Sequence, residues 1–131
     1  AILISIDQTT SIFRVFLYKA FARNGQKIRL IRKDSHSNKT LDKLKAILGE
    51  NDIDFLFIDG DHTYEGVKKD FEMYSPLVER GMIAFHDILP QKRENRCEVE
   101  KFWNEIKGQY KYEEIIHSHN QEWGGIGVIK T

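Results

Sequence analysis

Asp59, Asp61, His62 and Tyr64 crowd the six positions that follow the apolar run Phe55-Leu56-Phe57-Ile58. A second apolar run, Met82-Ile83-Ala84-Phe85, ends the same way, in His86-Asp87. Asp59, His86 and Asp87 supply two carboxylates and one imidazole. That donor set suits a hard or borderline divalent ion: Mg²⁺, Mn²⁺, Ca²⁺ or Zn²⁺. Carboxylates brought together repel one another, and a cation relieves the repulsion. The alternative is that these acids are solvated or cap the next helix. His62 carries an imidazole, a side chain that exchanges protons near neutral pH and so suits a general base, with Asp59 beside it in the same catalytic reading. Its alternative is that Asp61 or Thr63 caps a helix starting near Glu65, while His62 and Tyr64 only pack. Two further strand-end acids, Asp7 and Asp34, suit a nucleotide-like cofactor. Asp7 addresses ribose hydroxyls, and Asp34 with Ser35 an adenine edge. Asp34 can equally begin a turn.

These groups need elements to hold them. Ile2–Ile6 is a short β-branched run ending at Asp7. Ile12, Phe13, Phe16, Leu17, Ala20 and Phe21 recur at helical spacing over residues 11–22, and Asn24-Gly25 breaks that pattern. Residues 27–34 form a second strand. Leu41, Leu44, Ile47 and Leu48 make one helix face, closed by Gly49. Residues 53–59 form a third strand. Val67, Phe71, Tyr74 and Val78 predict a helix, with Pro76 bending it or starting a fresh turn. Residues 81–87 form a fourth strand, and Val99, Phe102, Trp103 and Ile106 mark a further helix. Residues 112–118 and 125–131 read as an antiparallel pair at one edge.

Strand alternating with helix predicts an α/β fold with a mostly parallel sheet. The runs at 55–58 and 82–85 are apolar on both faces, as in sandwiched central strands. Parallel strands would put Asp7, Asp34, Asp59 and Asp87 on one rim, beyond the carboxyl ends where such sheets bind ligands.

The bulk numbers narrow the classes. The 131 residues suit one domain. Twenty basic residues balance twenty acidic ones, which gives no argument for nucleic acid or an anionic membrane. No apolar run reaches the roughly 18–20 residues that span a bilayer. A single cysteine, Cys97, permits no internal disulfide and makes a reducing, cytoplasmic compartment the default. Cys97 has no base nearby in sequence and reads as incidental. The glycine-rich stretch at 124–128 leaves no room for a following helix, so it reads as a tight turn rather than a phosphate loop. Lys27, Arg29, Arg32 and Lys33 read as a solvated strand face.

Residues 54–88, DFLFIDGDHTYEGVKKDFEMYSPLVERGMIAFHDI, resemble the central segment of class I S-adenosylmethionine-dependent methyltransferases. The branch they look most like is the small-molecule O-methyltransferase-like group allied with cephalosporin hydroxylases. The flanking ISID, KIRLIRKDSH, KFWNEIK and WGGIGVIK stand in the order that branch shows. The resemblance implies a Rossmann-like sheet, with S-adenosylmethionine over the strand rim. It implies Asp7 on the ribose, Asp34 and Ser35 near the adenine, and Asp59 beside the cofactor. It also implies a divalent cation, Mg²⁺ first, on Asp59, His86 and Asp87, holding the hydroxyl of a small-molecule acceptor for His62 to deprotonate. The family's glycine-rich loop is not found in this sequence, which begins at what corresponds to the family's second strand. The fold is therefore expected to lack that first strand and to leave two open strand edges, inviting self-association into a homo-oligomer. Two other classes stand beside this one: a non-catalytic methyltransferase-like module for oligomerisation or partner binding, and a metal-dependent hydrolase suggested by the acid–histidine rim alone.

Overall fold

The structure, a computed structural model, describes residues 1–9, 11–91, 96–118 and 121–131. It divides into two compact units, Ala1–Lys45 and Ala46–Thr131.

In the first unit β1 (Ile2–Ile6) and β2 (Lys27–Ile31) flank α1 (Ile12–Phe21), and α2 (Asn38–Leu48) follows and crosses the unit boundary. The two strands are parallel, in register from Ile2↔Lys27 to Ile6↔Ile31. A helix must intervene between parallel neighbours, and α1 is that crossover. The helix lies within the residues 11–22 that the spacing predicts. Among its described side chains, however, Phe16, Leu17 and Phe21 are exposed. A two-stranded sheet offers little surface to bury such a face. Ile31, Thr40 and Leu44 are buried among the described side chains of this unit.

The second unit runs β3 (Phe55–Ile58), α3 (Tyr64–Tyr74), β4 (Met82–His86), α4 (Val99–Ile106), β5 (Lys111–Ile115) and β6 (Ile126–Lys130). A 3₁₀ turn at Ser75–Leu77 carries Pro76 at its start, so the proline begins a fresh turn. The strand order is β3-β4-β6-β5. β3 and β4 are parallel, whereas β6 is antiparallel to both β4 and β5. The terminal pair is thus antiparallel as expected, with β6 inside the sheet and only β5 at its edge.

The core of this unit gathers Ile58, Val67, Ile83, Phe85, Phe102, Trp103 and Ile129. All four residues that marked α4 are buried. Phe85 meets Trp103 and Phe102 at ring-centroid distances of 5.7 Å and 6.1 Å, in the tilted geometries aromatic pairs favour. Trp103 lies so close over β6 that a methyl at Gly127 would come within 2.6 Å of its ring. Its indole Nε1–H donates to Glu114 Oε1 at 2.6 Å, and Lys107 Nζ donates to the same oxygen at 2.9 Å.

The α/β class holds, with two departures. The described strands hydrogen-bond as two sheets, so the four strand-end acids stand as two pairs: Asp7 and Asp34 in one unit, Asp59 and Asp87 in the other. The run at 55–58 is also not sandwiched. Among the described residues β3 pairs only with β4, and Phe55 and Phe57 are 53% and 45% exposed. β4 is sandwiched, with Ile83, Ala84 and Phe85 all buried. Among the described residues one edge of β3 is unpaired, and β1 pairs with β2 in the other sheet. Among the described residues no helix is long and apolar enough to cross a membrane.

Candidate active site

Asp59 follows β3 and Asp87 follows β4. Because those strands are parallel and in register from Phe55↔Met82 to Ile58↔Phe85, their carboxyl ends lie side by side. The loop between Asp59 and α3 is short and internally braced. Asp61 Oδ1 accepts the Thr63 N–H at 2.9 Å, and Thr63 Oγ1 accepts the Gly66 N–H at 3.1 Å. Thr63 is therefore the N-cap of α3. Tyr64 turns into the structure. Its hydroxyl donates to Glu105 Oε2 at 2.5 Å, and its ring meets Phe102 edge-on at 6.0 Å. That hydrogen bond to a carboxylate, reinforced by burial, holds the phenol above its usual range. Capping and packing thus account for Asp61, Thr63 and Tyr64.

They do not account for His62. Its Nε2 lies 3.2 Å from Asp59 Oδ1, and its Nδ1 lies 3.3 Å from Asp87 Oδ2. His86 Nδ1 is placed alike, 3.4 Å from Asp59 Oδ1 and 3.2 Å from Asp87 Oδ2. Two imidazoles therefore stand between the same two carboxylates. A neutral imidazole has one N–H, so it satisfies a carboxylate at one nitrogen only. The His62 contact at Nε2 is a hydrogen bond. At Nδ1 a carboxylate faces a lone pair unless a proton or a cation joins them.

The donor set fits a cation by the same argument. Asp59, His86 and Asp87 bring one ligand atom each within 4.8 Å of one another. His86 Nδ1 is buried with no hydrogen-bond partner among the described residues. The Asp87 side chain is 8% exposed, and a buried carboxylate calls for a positive partner. Contacts of 3.2 Å and 3.4 Å match the spacing of neighbouring ligands on one ion bound at about 2.0–2.4 Å.

Asp87 is held from the other side by the loop between β5 and β6. Its backbone N–H donates to Gly125 O at 3.0 Å, and Leu89 N–H donates to Gly124 O at 3.1 Å. Both glycines have positive φ, 76° and 80°, so the glycine-rich stretch is the tight turn its position suggests. Asp87 itself sits at φ 62°, a conformation that aspartate tolerates better than most residues. The loop also carries Trp123, 67% exposed. Gln121 braces it, accepting the His117 N–H and donating to Trp123 O, both at 2.7 Å. His117, Gln121, Glu122 and Trp123 line an open hollow of about 610 Å³.

Sequence reasoning missed Cys97. Its thiol lies within 4.8 Å of ligand atoms of His62 and Asp87. The neighbouring residue fastens it there: Glu98 N–H donates to His62 O at 2.8 Å, and Glu98 Oε2 accepts the Tyr64 N–H at 3.3 Å. Burial pushes the Cys97 thiol up from its ordinary range. The available signal was topological. A helix that follows a strand in an α/β unit starts at the strand's carboxyl rim, and Cys97 stands just ahead of α4.

The acids of the first unit behave otherwise. Asp7 Oδ1 accepts from the Thr9 N–H at 2.6 Å and from the Thr9 hydroxyl at 2.9 Å. Asp34 Oδ1 accepts the His36 N–H at 2.9 Å, closing the turn that Ser35 occupies. These are the turns that aspartate makes with its own downstream backbone. The contact of Asp34 matches its alternative reading as a turn former.

Comparisons with known proteins give the chain its family. The chain is 32% identical over 90 residues to the uncharacterized protein y4gI of Sinorhizobium fredii, covering 68% of this chain and 9% of that protein. It is 37% identical over 68 residues to the uncharacterized protein R132 of Acanthamoeba polyphaga mimivirus, covering 51% of this chain and 30% of that one. The chain thus spans under a third of the length of these relatives. The family model described as a methyltransferase domain matches residues 3–88, a stretch that holds Asp7, Asp34, Ser35, Asp59, His62, His86 and Asp87 and stops short of Cys97. On that match, the chain belongs to the methyltransferase domain family.

Proposed function

We propose that the protein transfers a methyl group from S-adenosylmethionine to the hydroxyl of a small molecule, assisted by a divalent cation. One observation carries the proposal: Asp59, His86 and Asp87 present converging ligand atoms at the ends of two adjacent parallel strands. Methyl transfer from a sulfonium is a displacement in which the donor needs little activation. The acceptor oxygen needs to lose its proton and to be aimed. A divalent cation, when bound, supplies positive charge that favours that loss. Asp59 and Asp87 contribute carboxylate oxygens to it and His86 contributes Nδ1. His62 is the base. Asp59 orients it through Nε2, which leaves Nδ1 as the nitrogen that takes the proton. Asp7, Asp34 and Ser35, on the first unit, are the residues assigned to the cofactor's ribose and adenine. Trp123 offers the acceptor an exposed flat apolar face beside Glu122.

The test is a calorimetric titration of the intact protein with S-adenosylhomocysteine, with and without Mg²⁺, paired with a methyl-transfer assay over hydroxyl-bearing acceptors. Cofactor binding plus transfer abolished by a chelator supports the proposal. A folded protein that binds no S-adenosylhomocysteine sinks it.

A second reading, a methyltransferase-like module for oligomerisation or partner binding, is favoured by the open edge of β3 with its exposed Phe55 and Phe57. Self-association in the absence of any cofactor binding is the outcome that would select it.

A further inference from the structure

We infer that His62, Asp87 and Cys97 form a second cation site, selective for a thiophilic divalent ion such as Zn²⁺. Imidazole, carboxylate and thiolate together make a borderline-to-soft donor set, whereas Mg²⁺ is served by oxygen. Each of the three residues offers one ligand atom within 4.8 Å of the others. His62 contributes Nδ1, the nitrogen that faces Asp87 Oδ2 at 3.3 Å.

Three structural facts support a built site over a chance cluster. Asp87 contributes a carboxylate whose side chain is only 8% exposed. Cys97 packs against the hydrophobic core, which limits its freedom to turn away. The segments bearing Cys97 and His62 are joined by the Glu98 N–H to His62 O hydrogen bond at 2.8 Å and by the Tyr64 N–H to Glu98 Oε2 bond at 3.3 Å. Ligand atoms held in place by surrounding hydrogen bonds are what a metal site requires of its second layer. Three protein ligands also leave a fourth position open, the arrangement of reactive or exchangeable zinc sites rather than closed structural ones. Binding deprotonates the thiol, the cation forms its bond to the thiolate, and the proton passes to solvent. The two donor sets share Asp87, and an ion held here also takes the His62 Nδ1 lone pair, so occupation of this site withdraws the base proposed for methyl transfer.

Co²⁺ is the probe, because thiolate bound to it gives a charge-transfer absorption in the near ultraviolet. Cys97 is the only cysteine in the chain, so such a band reports it directly. The expected result is a band that saturates at one Co²⁺ per chain and is removed by competing Zn²⁺. Cys97→Ser should abolish the band and weaken Zn²⁺ binding at least about tenfold. His62→Ala, with the thiol intact, should weaken Zn²⁺ binding similarly. Asp59→Asn should disable the harder set and keep the band, which separates this inference from the methyl-transfer proposal. The inference fails if the folded protein gives no band. It also fails if both the cysteine and histidine variants hold Zn²⁺ within twofold of the parent. Saturation at one Co²⁺ per two chains would assign the thiolate to a contact between copies and overturn it as well.

Discussion

The two units of the chain use the same device, an acid at the end of a parallel strand, for different ends. Asp7 and Asp34 turn back on their own backbone, accepting N–H groups two residues on, from Thr9 and His36. Asp59 and Asp87 meet imidazoles instead, at 3.2–3.4 Å. The difference lies in what the neighbouring strand brings. In the second unit β4 ends in histidine before its aspartate, and the loop after β3 returns another histidine. Position at a strand end therefore makes an acid available, and the company it keeps decides what it can bind.

The largest expected effect breaks the comparison at its strongest point. Asp87→Asn keeps a residue that tolerates the left-handed backbone at φ 62° while removing the charge. Mg²⁺ affinity should fall at least about 100-fold, beyond what loss of a supporting residue causes. Methyl transfer should fall with it, and the melting temperature should stay within a few degrees. Calorimetry with Mg²⁺ and a thermal melt check this. Unchanged Mg²⁺ affinity would return Asp87 to the plain class of strand-end acids that Asp34 occupies.

A smaller effect is expected at Asp7. Asn in its place retains a side-chain oxygen to accept the Thr9 N–H, so the turn survives and stability should change by no more than about 0.5 kcal/mol. If the carboxylate also binds ribose hydroxyls, S-adenosylhomocysteine affinity should drop at least about tenfold, in keeping with about 1.5–3 kcal/mol for hydrogen bonds to a charged group. Equal affinity in parent and variant would confine Asp7 to its turn.

How much of this was readable in the sequence follows the same line between local and non-local. The face of α4 was legible because Val99, Phe102, Trp103 and Ile106 recur with the period of one helix, and all four are buried. The convergence of Asp59 with His86-Asp87 was legible because parallel neighbours joined by a helix put their ends together. The exposure of Phe55 and Phe57 was not, because an apolar run carries no mark of whether its strand has a neighbour on each side. Cys97 was hidden for a similar reason. Its partners come from the loop before α3 and the end of β4, and nothing in the residues adjoining it names them. His62 was readable as a candidate base, though not its two-sided contact with Asp59 and Asp87, which needs the registered pair β3 and β4.

Glu114 gives the smallest and most easily isolated contrast, a carboxylate whose contacts are purely structural. Lys107 and the Trp103 indole both donate to its Oε1, and these hydrogen bonds, Lys107 first, hold its carboxyl below the usual range. A carboxyl whose folded-state pKa is depressed stabilises the fold above its unfolded value, here the ordinary 4.5, and loses that contribution as pH falls through the folded value. The group is partly exposed, so the contribution should be about 1 kcal/mol or less. Denaturant midpoints measured from pH 7 downward should therefore fall more steeply for the parent than for Glu114→Gln once the pH is below 4.5. Mg²⁺ binding by the variant should match the parent. Parallel pH profiles would mean that the charge on Glu114 adds nothing to stability, leaving it no different in that respect from a solvated carboxylate.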